Sequence, residues 1–300
     1  MVAIRVDWPK YRLRELVAST SIADENYSVN VEAIERELNA PTPKEKGVFA
    51  NRLNLGAHSL SVFSVLQLLN GEIKAGWKEM ARSLQFELAS FKIRAAMGFP
   101  NYSWMDTNRA CLLLCAAIAL QSESVAKWLA ELIVSSYHKQ QEQQQQRQQK
   151  QRKKIPLSDW DVSPFEPFAL RQACYVQGIV PKQLPRSKRL PEFYDELVAA
   201  PDLDATQRAI DKLALERVQL VSESYVDYPP FEQAPFDLFP VDLLAHIMVV
   251  HSGIPKFDFG ALESPLCDPP LPFPHEKDPL VERVMERAKA ILTVADVQWA

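Results

Sequence analysis

The chain has 300 residues, 47% of them apolar, a formal charge of −4 and only 8 glycines. Length and apolar content supply a sizeable core, whereas glycine far below the usual ~7% disfavours nucleotide-binding sheet folds, whose phosphate loops and tight turns need positive φ. The longest apolar run, Ala110–Leu120, falls well short of the ~20 residues that cross a bilayer, so no membrane partner is expected.

The opening residues Met1–Pro9 hold no secretory h-region, which points to a cytoplasmic location. The first clear helix start is Thr42-Pro43-Lys44-Glu45, with Thr42 as cap, proline where no N–H is needed, and Glu45 completing a capping box. The helix that follows carries Phe49, Leu53, Leu60 and Phe63 in one row and Leu55, Val62, Leu66 and Leu69 in another, and Asn70-Gly71 stops it. Ile73, Trp77, Met80, Leu84, Leu88, Phe91 and Ala95 then form the seam of an antiparallel partner, giving a helical hairpin.

A third helix over 104–121 is apolar nearly all round, as a central bundle helix would be. The fourth starts near Ser122, places Val125, Trp128, Leu129, Leu132, Ile133 and Tyr137 on one stripe, and then loses that stripe in a Gln/Lys/Arg-rich run. Those residues are good helix formers, so the pattern predicts a helical extension into solvent, ended by Ile155-Pro156. Further helices are predicted at 168–177, 190–199, 204–225 with Asp204 as cap, 237–252, and from an Asp278 cap with Pro279 at the first position to about Val294. The expected fold is all-α, a multi-helix bundle of antiparallel hairpins with a long proline-rich C-terminal segment, since half of the 22 prolines lie between Pro229 and Pro279. The expected organisation is a helical half at 1–138, an exposed extension and linker at 139–159, and a second half at 160–300 packed with the first.

Charge is divided unevenly. Lys139–Lys154 holds six bases (Lys139, Arg147, Lys150, Arg152, Lys153, Lys154) against Glu142, a local +5, which leaves −9 on the rest of the chain. An acidic body favours basic partners and disfavours nucleic acid, except through 139–154, where bases could replace condensed counterions. That run lacks interleaved aromatics for stacking on bases, so a solvated helix is the plainer reading.

Catalytic groupings are sparse. Asp242 and His246 share a helix face at i, i+4, with His251 further on, but HExxH is absent and no spacing suggests a third ligand. Cys111, Cys115, Cys174 and Cys267 show no CxxC pair and read as buried thiols. Ser264 has no GxSxG elbow. No catalytic residue, metal or cofactor is expected.

The stretch Tyr225–Asp237 differs in kind, because aromatic side chains held by proline lose little entropy on binding and the carboxylates beside them steer a basic partner. Asp227, Tyr228, Phe231, Glu232 and Asp237 are the candidate partner-binding residues. Further on, His251-Ser252-Gly253, then Ile254-Pro255-Lys256-Phe257-Asp258-Phe259-Gly260, then Glu263–Leu271 with its Ser-Pro-Leu-Cys-Asp-Pro-Pro core, resembles the closing part of the immunity-protein-49 group. The resemblance covers 205–274, with support from the hairpin at 45–97; the 139–154 run departs from it. It implies an all-α, non-enzymatic bacterial antidote that binds one cognate toxin or secreted effector and occludes its active site or assembly. The acidic body suits a basic toxin, such as a nuclease. A different class remains, a helical scaffold that contacts nucleic acid or another protein through 139–154.

Overall fold

Helical segments punctuated by proline and by left-handed C-caps account for all the regular structure among the described residues, which in this computed structural model are 10–40, 47–97, 107–150, 165–179, 194–223, 239–250 and 277–291. They form ten helices and no strand: α1 Lys10–Leu38, α2 Val48–Leu69, α3 Ile73–Ala96, α4 Thr107–Ala119, α5 Glu123–Lys150, α6 Phe165–Val176, α7 Asp195–Ala199, α8 Leu203–Glu223, α9 Val241–Val250 and α10 Pro279–Ile291. The all-α expectation holds.

The chain forms two compact units. One takes Met1–Ser103, Leu220–Leu238 and Pro269–Ala300, hence α1, α2, α3 and α10; the other takes Trp104–Gln219 and Phe239–Asp268, hence α4 to α7, α8 through Gln219, and α9. The chain passes between the units at 103–104, 219–220, 238–239 and 268–269, and the last helix joins the first unit. The Gln/Lys/Arg-rich run continues α5 as a helix through Lys150, as its helix-forming composition predicts.

In the first unit, α1 is the element that apolar periodicity passes over. Its inner face, Ala23, Tyr27, Asn30, Ile34 and Leu38, repeats at four- and three-residue steps, but an asparagine and an alanine interrupt the apolar signal. Asn30 is buried because it is engaged: its amide donates to Asn26 O at 2.7 Å and its carbonyl accepts from Arg52 Nη1 at 3.0 Å.

The hairpin of α2 and α3 is drawn close by small residues. Ser83 Oγ donates to Ala57 O at 2.8 Å, Ser90 Oγ to Ala50 O at 2.7 Å, and Ser61 Oγ meets Ser83 Oγ at 2.9 Å. Each hydroxyl bonds the opposing helix, so it is satisfied in a dry seam and contributes about 1 kcal/mol net. Gly56 shows how tight the seam is, since a Cβ there would stand 3.0 Å from the Phe86 ring. Of the predicted rows, Phe49, Leu53, Leu60, Trp77, Met80 and Leu84 are buried, but Leu55 is 50% exposed.

α2 ends in a Schellman motif: Gly71 N–H bonds Leu68 O, Glu72 N–H bonds Gln67 O, and Gly71 takes φ +81°. The same pair of bonds closes α4 and α6, with Gly178 at φ +67° after α6 and Gln121 at φ +53° after α4. Gln121 is the only non-glycine in that region among the described residues.

α10 begins as its sequence predicts. Asp278 Oδ1 accepts the N–H groups of Leu280 and Val281 at 2.9 and 3.3 Å, capping the helix with Pro279 at its first position. Asp278 Oδ2 accepts Arg82 Nε at 2.9 Å, and its own N–H donates to Gln85 Oε1 at 2.7 Å. Arg82 also donates to Glu79 and to the Tyr27 hydroxyl. Burial pulls the guanidinium pKa down, but the Asp278 hydrogen bond and the charges around it raise it overall. With α10 so fixed, Val281, Val284 and Ala288 enter the core made by Ile34, Leu53, Phe86 and Ile93.

In the second unit α4 is central, buried at Thr107 and at every position from Ala110 to Ala119, and it packs against α5, α6 and α9. Two predicted starts shift. Asp202, not Asp204, caps α8: its Oδ1 accepts Ala205 N–H at 2.8 Å, and the buried Thr206 donates its hydroxyl to Asp202 O. α9 starts at Val241, not at Asp237, because Pro240 disfavours helical backbone at the residue before it. The Thr42–Glu45 cap and the Ile155-Pro156 stop lie outside the described residues.

Asp278→Ala removes both the α10 cap and the buried partner of Arg82, and is expected to cost about 3 kcal/mol in urea unfolding; Asp278→Asn, which keeps an oxygen for the cap, costs less. Gln121→Gly relieves left-handed backbone and raises stability by about 1 kcal/mol in the same measurement.

Candidate functional site

A mostly apolar helix that carries an aspartate and a histidine four residues apart needs partners for both. α9 places Asp242 and His246 toward the interior of the second unit, 0% and 3% exposed. Asp242 Oδ2 accepts the Tyr194 hydroxyl at 2.6 Å, a short bond reaching the residue just before α7. His246 Nδ1 lies 3.2 Å from Gln172 Nε2 on α6, which donates to it when the imidazole proton sits on the other nitrogen.

Phe168 of α6 joins the two bonds. Its ring stacks on Tyr194 at 4.0 Å between centroids and 13° between planes, and faces His246 at 5.8 Å and 36°. Gln172 is fully buried and Glu166 nearly so. An aromatic slab between two hydrogen bonds holds the phenol and the imidazole in fixed orientations. The cluster ties α6, α7 and α9 together, because the buried phenol–carboxylate and amide–imidazole bonds run between them.

Spacing found Asp242 and His246, and the structure gives Asp242 the Tyr194 hydroxyl and His246 the Gln172 amide. No third His, Cys, Asp or Glu among the described residues joins them into a metal-binding group. Tyr194, Phe168 and Gln172 come from other segments, and no local pattern signals them. Cys111, Cys115 and Cys174 are buried free thiols, as expected; burial pushes the Cys174 thiol pKa up, against a weaker opposing pull from Arg171.

The candidate partner-binding residues Asp227, Tyr228, Phe231, Glu232 and Asp237 lie outside the described residues, as do His251, Ser264 and Cys267. Of the basic run, the helix is described to Lys150; Lys139, Glu142, Gln143, Gln145 and Gln146 are exposed, whereas Gln140, Gln141 and Gln144 are half-buried. No helix among the described residues is long and apolar enough to cross a membrane.

Set against models of known families, curated proteins and solved structures, the chain matches none.

Tyr194→Phe keeps the stacked ring but deprives the buried Asp242 carboxylate of a donor, and is expected to lower unfolding free energy by about 2 kcal/mol. Phe168→Leu should lower it too and loosen α7, seen as faster amide exchange over residues 195–199.

Proposed function

We propose that this chain is a non-enzymatic antidote that binds and neutralises a cognate bacterial toxin, by occluding its active site or its assembly. One observation carries the reading: the acid–base cluster, Asp242 with Tyr194 and His246 with Gln172, is turned inward and engaged, 0–6% exposed. General acid–base work needs such groups within reach of a substrate; here they hold helices together. The exterior can act instead: outside 139–154 the chain carries −9. A net acidic surface accelerates encounter with basic proteins, which suits a toxin with a positively charged groove, such as a nuclease. The resemblance of 205–274 to the immunity-protein-49 group supports the same reading, with a cytoplasmic site of action.

The helical continuation of α5 past Tyr137, with Lys139 exposed, supports a second reading, a scaffold that contacts nucleic acid through 139–154. Salt-dependent gel shifts separate the two, since phosphate contacts weaken steeply as salt rises.

Co-expression with the toxin encoded beside its gene is expected to restore growth, and the two proteins to elute together in size exclusion. Replacing the six bases of 139–154 by alanine should leave that protection intact. Loss of protection in this variant, with salt-sensitive nucleic-acid binding in the wild type, would favour the scaffold.

A further inference from the structure

Gln172 is fully buried on α6, yet only one end of its amide is used. Its Nε2 lies 3.2 Å from His246 Nδ1, whereas its Oε1 is buried with no hydrogen-bond partner among the described residues. A buried acceptor left empty is costly, and the great majority of such groups in folded proteins are satisfied. An amide has a remedy, because a half-turn about its last side-chain torsion exchanges the oxygen and the NH2.

That half-turn matches the two states of an imidazole. Neutral His246 with its proton on Nε2 offers a lone pair at Nδ1, which the Gln172 NH2 meets. Protonated His246 carries N–H at both nitrogens, so Nδ1 then needs an acceptor, and the turned amide puts Oε1 in that place. The imidazole itself need not move, held as it is against Phe168 at 5.8 Å between centroids. A carboxylate opposite Nδ1 could only accept and a lysine could only donate; an amide does either.

The surroundings admit the charge. α9 packs on α4 and α6. The buried titratable groups of these helices are Asp242 on α9, bonded to the Tyr194 hydroxyl, Glu166 and Cys174 on α6, and Cys111 and Cys115 on α4. Carboxyls, thiols and a phenol are positive in neither protonation state, and Arg109 of α4 and Arg171 of α6 are only half-buried. Among the described residues of these helices, a protonated imidazole therefore meets no buried cation to oppose it.

We propose that Gln172 and His246 form a proton-responsive latch: His246 takes up a proton while its unit stays folded, and the Gln172 amide turns over to accept it. The proton comes from solvent and rests on Nδ1, and the bond from Gln172 Nε2 is exchanged for one to Gln172 Oε1. α6 and α9 thus stay joined in both states, where a fixed donor would part them.

The test is a titration of the full chain, labelled with 15N and 13C, as pH falls from about 8 until helix content is lost in far-UV circular dichroism. NMR follows the imidazole nitrogens and the Gln172 side-chain amide, with H246N assigning the His246 signals. His246 Nδ1 is expected to change from bare to protonated before helix content is lost, and the Gln172 amide to shift with the same midpoint. Q172E, which places an acceptor there throughout, should raise that midpoint, and Q172M, which offers no acceptor oxygen, should lower it, each by about one pH unit. A side chain that merely fills space would leave the midpoint where it is. Unfolding before His246 protonates, Gln172 resonances that stay still through its titration, or a Q172M midpoint equal to that of the wild type overturns the proposal. Should Q172M not fold, the wild-type titration and Q172E decide.

Discussion

Asp278 and Arg82 lie 196 residues apart in sequence, and their contact closes the first unit. The two oxygens of one carboxylate are shared between the start of α10 and the guanidinium of α3, so helix initiation and tertiary docking are a single event. Isolated helices of this length are marginal in water, and α10 buries only two valines and an alanine fully. The polar junction fixes where those residues fall along the groove between α1 and α3. Burying an ion pair is costly unless its remaining donors find acceptors; here Glu79 and Tyr27 take the remaining Arg82 bonds, which is why the arrangement can stand 6% exposed at Asp278.

The second unit meets the same need with different chemistry. α4 is apolar over nearly its whole circumference, and such a surface accepts neighbours in several registers at similar cost. The Tyr194–Asp242 and Gln172–His246 bonds add direction, because a shift by one residue would leave a buried carboxylate or imidazole without its partner. Asp242 and His246, four residues apart on α9, thus tie that helix to the segments around it.

Much of the helical content was legible. The α2–α3 hairpin, the central character of α4, the continuation of α5 and the Asp278-Pro279 start of α10 follow from periodicity and capping. α1 was not legible, since its inner face uses Asn30 and Ala33 where a periodic signal needs large apolar groups; only Arg52 across the seam makes Asn30 a core residue. The shifted starts of α8 and α9 show the limit of local rules. Both Asp202 and Asp204 satisfy capping chemistry, and the choice fell to the one that also lets Thr206 bury with its hydroxyl bonded. Likewise Asp242 and His246 were visible as a pair, but their roles depend on Tyr194, Phe168 and Gln172, whose distance along the chain hides them from any spacing rule.

By itself, then, the sequence determined the class of structure, because helix formation, capping and termination act over a few residues. It also determined the sign of the surface, since net charge needs no coordinates. Tertiary structure alone decided which side chains of each amphipathic helix face a neighbour and which face water. It buried Asp242 and left Ile22, Val29 and Leu55 exposed, outcomes set by contacts between segments far apart in the chain, where local periodicity carries no information.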